Sequence, residues 1–173
     1  MLKGSKIYLR LVEKKDVSRI YSICSEKEVR EFDGGQFILP PLQYILKHFE
    51  EMFNMDRKGL SIVNEKGVLI GYITYREVKD TINVYSIGIT IGSRFWGRGY
   101  GKDSMKTIVE YLFKNNGAHR VELEVVAYNE RAIRCYKSCG FIEEGRKREK
   151  YFYKEKYYDT IMMSILRAEY INK

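Results

Sequence analysis

Apolar residues recur along this chain with the two spacings that distinguish strands from helices. Alternating or continuous apolar positions predict about seven strands, at 7–12, 60–63, 68–78, 84–91, 121–127, 151–154 and 159–166. Apolar residues three and four apart predict about four helices, at 17–24, 42–56, 102–116 and 130–138. Asp16 and Asn129 are the predicted N-caps of the first and last of these helices.

The order of these elements indicates the fold class. Strands dominate the first half and then alternate with helices, an order typical of one mixed α/β sheet. A length of 173 residues suits a single domain spanning residues 1–173. The sequence has no run of about 18 apolar residues and no signal-peptide pattern, so we expect no membrane partner.

Composition narrows the compartment and the partners. Cys24, Cys135 and Cys139 lack the spacing of a metal site, so we expect reduced thiols, no metal and a cytoplasmic protein. The formal net charge of +8 favours an anionic partner, either nucleic acid or a polyphosphate cofactor. Because the basic residues are spread thinly, with the densest cluster at 146–150, and no nucleic-acid motif is present, nucleic acid is the less favoured partner.

A glycine-rich segment, Arg94-Phe95-Trp96-Gly97-Arg98-Gly99-Tyr100-Gly101-Lys102, joins a predicted strand to a predicted helix. Such a turn directs backbone N–H groups and the positive end of the helix dipole at one point, where phosphate binds. A nucleotide P-loop is excluded, because Trp96 and Asp103 stand where Gly and Ser or Thr are required. The dinucleotide fingerprint also fails, because its third glycine would fall on Lys102 or Ser104. An ordinary glycine turn is the remaining alternative.

Two segments, in this order, carry a family resemblance. Trp96-Gly97-Arg98-Gly99-Tyr100-Gly101 is similar to Q/R-x-x-G-x-G/A, with Trp96 in place of the usual Gln or Arg, and 129–141 is similar to N-x-x-A-x-x-x-Y-x-x-x-G-F. Both signatures belong to the GNAT superfamily of acyl-CoA-dependent N-acetyltransferases. The Ile-Gly-Ile strand and the closing Tyr-Tyr-Asp resemble most the branch of ribosomal-protein alanine/serine and spermidine acetyltransferases. The resemblance implies a GNAT-like, mostly antiparallel sheet of about seven strands with four helices.

The resemblance also implies acetyl-CoA as co-substrate and assigns its binding residues. The loop amides from Arg98 to Lys102 are implied to hold the pyrophosphate, and 87–89 to pair with the pantetheine arm. The implied cofactor-binding residues are Ile87, Gly88, Ile89, Arg94, Arg98, Gly99, Tyr100, Gly101, Lys102 and Asn129. Tyr136 matches the general acid, because a phenol within reach can protonate the departing thiolate. Packing of its ring on a helix face is the alternative role.

The general base is less well defined. Ser86 stands where relatives often place a glutamate, just before Ile-Gly-Ile, and a serine hydroxyl does not act as a base in the same way. The candidates that remain are Glu77, Glu122 and Glu124, directly or through a water molecule. Exposed carboxylates on a strand face are the alternative interpretation of each.

The acceptor is also open. Glu31 and Asp33 in the loop 31–41, together with Glu77, are candidates for attracting a cationic amine. We therefore predict an acetyl-CoA-dependent N-acetyltransferase that transfers the acetyl group directly, with a polyamine or other small amine slightly preferred over a protein N-terminal amine. A non-catalytic acyl-CoA sensor and a basic nucleic-acid-binding protein are the alternatives from other classes. The sequence leaves open whether copies form a homo-oligomer and whether the pocket is a groove or a closed cavity.

Overall fold

One sheet of eight strands organises the chain, of which the computed structural model describes residues 1–33, 38–49 and 57–171. The strands are β1 (Leu2–Lys3), β2 (Ile7–Leu11), β3 (Lys58–Asn64), β4 (Leu69–Glu77), β5 (Val84–Ile91), β6 (Arg120–Val126), β7 (Ile142–Tyr153) and β8 (Lys156–Leu166). The helices of the described residues are α1 (Val17–Cys24), α2 (Lys27–Arg30), α3 (Leu42–Lys47), α4 (Tyr100–Asn115), α5 (Glu130–Cys139) and α6 (Arg167–Ile171).

The strand order is β1-β2-β3-β4-β5-β6-β8-β7. Only β5 and β6 pair in parallel, so the predicted mixed, mostly antiparallel sheet is confirmed. The sheet has one strand more than predicted, because the two-residue β1 is too short to show a period. The predicted helix 42–56 begins as α3 at Leu42 and ends at Lys47, and residues 50–56 lie outside the described ranges.

Strand β7 is longer than the sequence pattern predicted. It begins at Ile142 rather than Tyr151, and it pairs with β8 at the edge of the sheet. Every side chain from 142 to 150 is exposed. Because neither face of this part of the strand is buried, it has no alternation of apolar and polar residues to reveal it.

The core lies between helix α4 and one face of the sheet. Met105, Ile108 and Leu112 of α4 are fully buried in the same apolar cluster as Ile73 of β4 and Ile87 of β5. Their three- and four-residue spacing places them on one side of the helix, as the sequence predicted. The side chains that alternate with Ile73 and Ile87 therefore project from the opposite face of the sheet.

The parallel strands β5 and β6 stay together for only three residue pairs. Val84, Tyr85 and Ser86 lie opposite residues 120–122, after which the pairing ends. Beyond Ser86, β5 continues with β4 as far as Ile91, and β6 continues with β8 as far as Val126. The two strands thus form a fork, made of residues 87–91 and 123–126, that opens towards the loops leading into α4 and α5.

Helix α1 begins after Asp16 as predicted, but the predicted capping role of the Asp16 side chain is wrong. Its carboxylate receives two hydrogen bonds from the Arg10 guanidinium, at 2.5 and 2.8 Å, and one from the Ser61 hydroxyl at 2.9 Å. These donors outweigh the effect of burial and lower the pKa of Asp16. The side chain therefore links β2, β3 and α1.

A second aspartate, Asp103, connects the N-terminal strands to α4. Its carboxylate accepts hydrogen bonds from the backbone N–H groups of Ser5, Lys6 and Ile7, at 3.0, 2.7 and 3.1 Å. A side chain at Gly4 would bring its Cβ to within 2.6 Å of the same carboxylate. Asp103 therefore fixes the β1–β2 turn directly against the first turn of α4, beside the glycine-rich loop.

We expect Asp103→Ala to lower the free energy of unfolding by roughly 1–3 kcal/mol, because three backbone donors lose a charged acceptor. Urea unfolding followed by circular dichroism measures the change. Glu110→Ala on the same helix is the control, because its ion pair with Lys114 is exposed to solvent and stabilises the fold little. Equal losses in the two variants would contradict the role assigned to Asp103.

Candidate active site

The fork opens into a cleft of about 640 Å³ between the glycine-rich loop and α5. The cleft brings together most of the predicted site residues, namely Ile87, Gly88, Ile89, Gly99, Tyr100, Gly101, Lys102, Asn129, Tyr136 and Asp33. Arg94 and Arg98 line a neighbouring, more open depression of about 560 Å³ beside Glu65. Glu31 and Glu77 do not line the cleft.

The N-terminus of α4 presents uncapped backbone amides that are able to bind an anion. Gly99 occupies the N-cap position with φ of 84°, and no side chain caps the helix. The N–H of Asp103 makes the first intrahelical bond, to the carbonyl of Gly99. The amides of residues 100–102 have no intrahelical acceptor, and the helix dipole favours negative charge beside them.

The glycines of this loop differ in what a side chain would meet at each position. Gly97 and Gly99 have φ of 72° and 84°, the left-handed region in which a side chain is strained. At Gly101 an added Cβ would lie 3.7 Å from both Cys135 Sγ and Ile91 Cδ1, in ordinary contact. Small size at Gly101 therefore leaves room above the amides rather than permitting an unusual backbone.

The charged and aromatic side chains of the loop have different surroundings. Lys102 is exposed and lines the cleft, whereas the Arg94 guanidinium stacks over Phe95 at 4.9 Å from the ring centroid. The Tyr100 hydroxyl donates to Glu65 at 3.0 Å, so this phenol is held by the β3–β4 turn. The main chain of Tyr100, rather than its hydroxyl, is the part available to a phosphate.

The inner edge of β5 offers backbone groups to an extended ligand. Residues 87–91 pair with β4 on one side, and their pairing with β6 ends at Ser86 on the other. Backbone groups that face the fork from Ile87, Gly88 and Ile89 therefore lack a strand partner there. An amide-containing chain such as pantetheine fits this edge as a further strand would.

Asn129 has the capping role that the sequence predicted. Its side-chain oxygen accepts a hydrogen bond from the N–H of Ala132 at 3.2 Å, and Gly140 ends α5 with φ of 101°. Asn129 is buried and lines the cleft. The cap therefore fixes the first turn of α5 against the fork.

Tyr136 lies on the cleft side of α5, with its ring tilted against Phe141 at 6.2 Å between centroids. Burial is the main cause that raises the pKa of its phenol, and negative charge on Cys135 and Asp33 adds to the effect, against Arg131. The phenol therefore keeps its proton at neutral pH. A protonated hydroxyl beside the fork has the chemistry of a proton donor.

The structure separates the three candidate base residues. Glu77 accepts a hydrogen bond from the backbone N–H of Asn83 at 2.8 Å, and Glu122 pairs with Arg120 at 2.8 Å. Of the three, only Glu124 lines the cleft. Sequence alone could not distinguish them, because strand position fixes the face of a side chain but not its partners.

Glu124 is held by two donors, one from the edge strand β7 and one from the neighbouring strand β8. Lys147 Nζ lies 2.7 Å from one carboxylate oxygen, and the Thr160 hydroxyl lies 2.6 Å from the other. Burial acts to raise the pKa of Glu124, but the hydrogen bonds from Lys147 and Thr160 prevail and lower it. Glu124 therefore remains ionised at neutral pH, and its carboxylate lies at the cleft in an ion pair with Lys147.

The two acidic residues of the predicted acceptor loop differ in their placement. The Asp33 carboxylate receives a hydrogen bond from the Thr90 hydroxyl, and burial raises the pKa of this carboxyl group. Glu31 has its carbonyl oxygen bound by the hydroxyls of Tyr128, at 2.8 Å, and Tyr151, at 3.1 Å. Residues 34–37 of the loop lie outside the described ranges.

The sequence pattern does not indicate Arg131 as a site residue, and it assigns no function to Trp96. The Trp96 indole N–H donates to the Ile91 carbonyl at 2.7 Å, and the Arg131 guanidinium carbon lies 3.3 Å from the centre of the indole. The spacing of 35 positions between the two residues hides this contact from any local pattern. The one available signal was the tryptophan itself, which replaces a polar residue of the loop signature.

Two further observations concern metal binding and membrane insertion. Among the described residues, no three His, Cys, Asp or Glu side chains lie close enough together to hold a metal ion. None of the described helices has the length and apolar character needed to cross a bilayer.

The uncapped helix, the glycine-rich loop and the free edge of β5 fit the diphosphate and amide groups of acetyl-CoA.

Comparisons with known proteins agree with this geometry. Residues 6–142 match the model of the acetyltransferase (GNAT) domain. The chain is 25% identical over 173 residues, 98% of each protein, to spermidine N(1)-acetyltransferase of Vibrio cholerae serotype O1. It is 23% identical over 171 residues to the putative ribosomal N-acetyltransferase YdaF of Bacillus subtilis (strain 168), covering 95% of this chain and 93% of YdaF.

A solved structure shares the fold. The crystal structure of spermidine N-acetyltransferase from Vibrio cholerae, in complex with CoA and spermine, has a TM-score of 0.87 to this chain at 22% identity. The superposition covers 98% of this chain and 100% of that protein. The chain belongs to the GNAT family and is an acetyl-CoA-dependent N-acetyltransferase.

Proposed function

We propose that this enzyme acetylates a primary amine of a polyamine, by direct transfer from acetyl-CoA. The observation that carries the proposal is the ionised Glu124 carboxylate in the cleft. A polyamine brings several ammonium groups, which a fixed carboxylate attracts more strongly than it attracts a neutral acceptor. The naming of a 25%-identical relative as a spermidine N(1)-acetyltransferase supports the same acceptor class.

The two faces of the sheet support separate donor and acceptor sides. Ile73, Ile87 and Met105 belong to the apolar cluster on the α4 side. Thr74 lies opposite Gly88, and Ser86 lies opposite residue 122, so their side chains alternate with those of the apolar cluster. We therefore infer that the amine approaches from the polar face, which also carries Glu124.

Different groups of the chain perform different parts of the acetyl transfer. Acetyl-CoA supplies the acetyl group as a thioester, whose thiolate is the leaving group. A backbone N–H at the free edge of β5 stabilises the negative charge that develops on the carbonyl oxygen. The neutral amine attacks the carbonyl carbon as the C–S bond breaks, and the Tyr136 phenol gives its proton to the departing sulfur. The proton that the attacking nitrogen then loses passes through solvent and restores the phenol, while Glu124 holds the acceptor near the reacting carbon.

A protein N-terminal amine is the second candidate acceptor. The 23% identity to a putative ribosomal N-acetyltransferase favours it, because the two relatives cover similar shares of the chain. An N-terminal amine carries a single positive charge, so it gains less from Glu124 than a polyamine does.

We treat residues 1–173 as one catalytic domain and place its reaction in the cytoplasm, where the three free cysteines would stay reduced.

Acetyl transfer to defined acceptors tests the proposed function. Purified enzyme and acetyl-CoA are incubated with spermidine, with spermine, with butylamine and with peptides that begin with Ala or Ser, and acetylated products are measured by mass spectrometry. We expect kcat/KM for spermidine to exceed that for butylamine and for the peptides by at least about tenfold. Preference for the peptides would establish the second candidate, and no transfer to any amine would favour a CoA-binding sensor.

We expect Tyr136→Phe to lower kcat by roughly 100- to 10,000-fold, because the thiolate then departs without a proton donor. The affinity for CoA, measured by calorimetry, should change little. Tyr44→Phe is the control, because Tyr44 is half-exposed on α3 and stacks on His48 outside the cleft. Unchanged turnover in Tyr136→Phe would remove the general-acid role.

The pH dependence follows from the same tyrosine. A general acid must be protonated, and burial raises the pKa of Tyr136 above the ordinary value of about 10. Activity should therefore rise with pH as the acceptor amine loses its proton. It should not begin to decline until the pH exceeds about 10. A kcat profile that declines between pH 7 and 9, with the enzyme still folded, would contradict this assignment.

Glu124→Gln should raise KM for spermidine by about tenfold, because the variant removes the negative charge and leaves Lys147 unopposed. The KM for acetyl-CoA should stay within about threefold. Glu122→Gln is the matched control on the same strand, since Glu122 pairs with Arg120 and does not line the cleft. Equal effects in the two variants would show that Glu124 has no specific role in acceptor binding.

A further inference from the structure

Arg131 brings a positive charge into the cleft without a carboxylate partner. Its side chain lies in the first turn of α5 and lines the cleft, where it is half-buried. Among the residues that the structure describes, no Asp or Glu lies within ion-pair distance of it. The neighbouring Glu130 pairs with Arg134 instead, at 3.0 Å. Burial lowers the pKa of Arg131, which shows that desolvation of this cation is not offset by an acid.

The Trp96 ring covers one face of the guanidinium, and the Phe32 ring lies further away. The guanidinium carbon lies 3.3 Å from the centre of the Trp96 ring and 5.5 Å from that of Phe32. Stacking on aromatic rings occupies the flat faces of a guanidinium and leaves its N–H donors pointing outwards in the plane. That edge presents the planar fork of donors that binds phosphate oxygens in pairs.

The stack lies at the open end of the fork. Trp96 is bound through its indole N–H to the carbonyl of Ile91, the last residue of β5. Arg131 belongs to the helix that follows β6. The contact between them therefore joins the two arms of the fork, next to Gly97 and the free amides at the start of α4.

We propose that Arg131 binds the diphosphate of acetyl-CoA and that Trp96 holds the guanidinium in position. Trp96 stands at the place where the loop signature of related enzymes has Gln or Arg. Arg131 supplies from α5 the cationic donor that this loop lacks at that position. An anion at this point would neutralise a cation that no acid of the described chain neutralises. The inference concerns the donor and holds for either acceptor.

Binding of a graded set of ligands tests the proposal. Calorimetry gives Kd for CoA, for dephospho-CoA, which keeps the diphosphate, and for pantetheine, which has no phosphate. We expect Arg131→Met to weaken both nucleotides by roughly tenfold to hundredfold and pantetheine by less than about threefold. Equal weakening of pantetheine, or no weakening of CoA, would overturn the proposal.

Two further variants separate binding from a structural role. Arg134→Met is the matched control. Arg134 lies three residues after Arg131 on α5, lines the same cleft and already has Glu130 as its partner. Its Kd for CoA should stay within about threefold of wild type. Arg131→Lys keeps the charge but loses the planar fork, so it should recover part of the CoA affinity.

The free enzyme provides the last comparison. Amide hydrogen exchange at residues 97–102 should be the same in ligand-free wild type and Arg131→Met, because the proposed bond forms only with the ligand. Faster exchange in the variant, together with no recovery in Arg131→Lys, would show that the stack supports the loop and does not bind phosphate. Acetyl transfer plays no part in these measurements, so failure of the proposed acceptor would leave their interpretation unchanged.

Discussion

The separation of β5 from β6 is the constraint on which the rest of the site depends. Three parallel pairs hold the strands together, and beyond Ser86 each strand keeps only its outer neighbour. Backbone groups inside a sheet need partners, so a gap of this kind is stable only if water or an extended ligand fills it. The glycine-rich loop, the Asn129 cap and Tyr136 all lie along that gap, and each acts on whatever enters it.

The elements that the sequence predicted are those with local causes. The strand period, the glycine-rich turn and the Asn129 and Gly140 helix ends each depend on residues within a few positions of one another. Contacts between distant segments could not be predicted in the same way. Asp16 has the residue type and position of a cap, but Arg10 and Ser61 compete for its carboxylate. An exposed edge strand such as β7 has no period at all.

The same difference between local causes and distant contacts explains which parts of the site the sequence could predict. The proposed donor half lies on one loop and two helix starts, so two motifs were enough to indicate it. The proposed acceptor half combines side chains from separate strands and from the segment that follows α2, and their partners decide their roles. Glu122 and Glu124 are two positions apart on β6 and each has a cation partner, Arg120 or Lys147, yet only Glu124 also lines the cleft. Which carboxylate lies at the cleft and which cation it pairs with depend on cross-strand neighbours that no single-chain pattern records.

The Asp103 carboxylate also restricts how the sequence of this enzyme can change. Three consecutive amides of the β1–β2 turn converge on one side chain, and Gly4 leaves no space for a Cβ beside it. Inserting or deleting one residue between Gly4 and Ile7 would move all three donors out of register with α4. The first strands and α4 are thus mutationally coupled, although about a hundred positions separate them. None of the described residues of the loop 31–41 is hydrogen-bonded to α4, so changes there need not disturb α4.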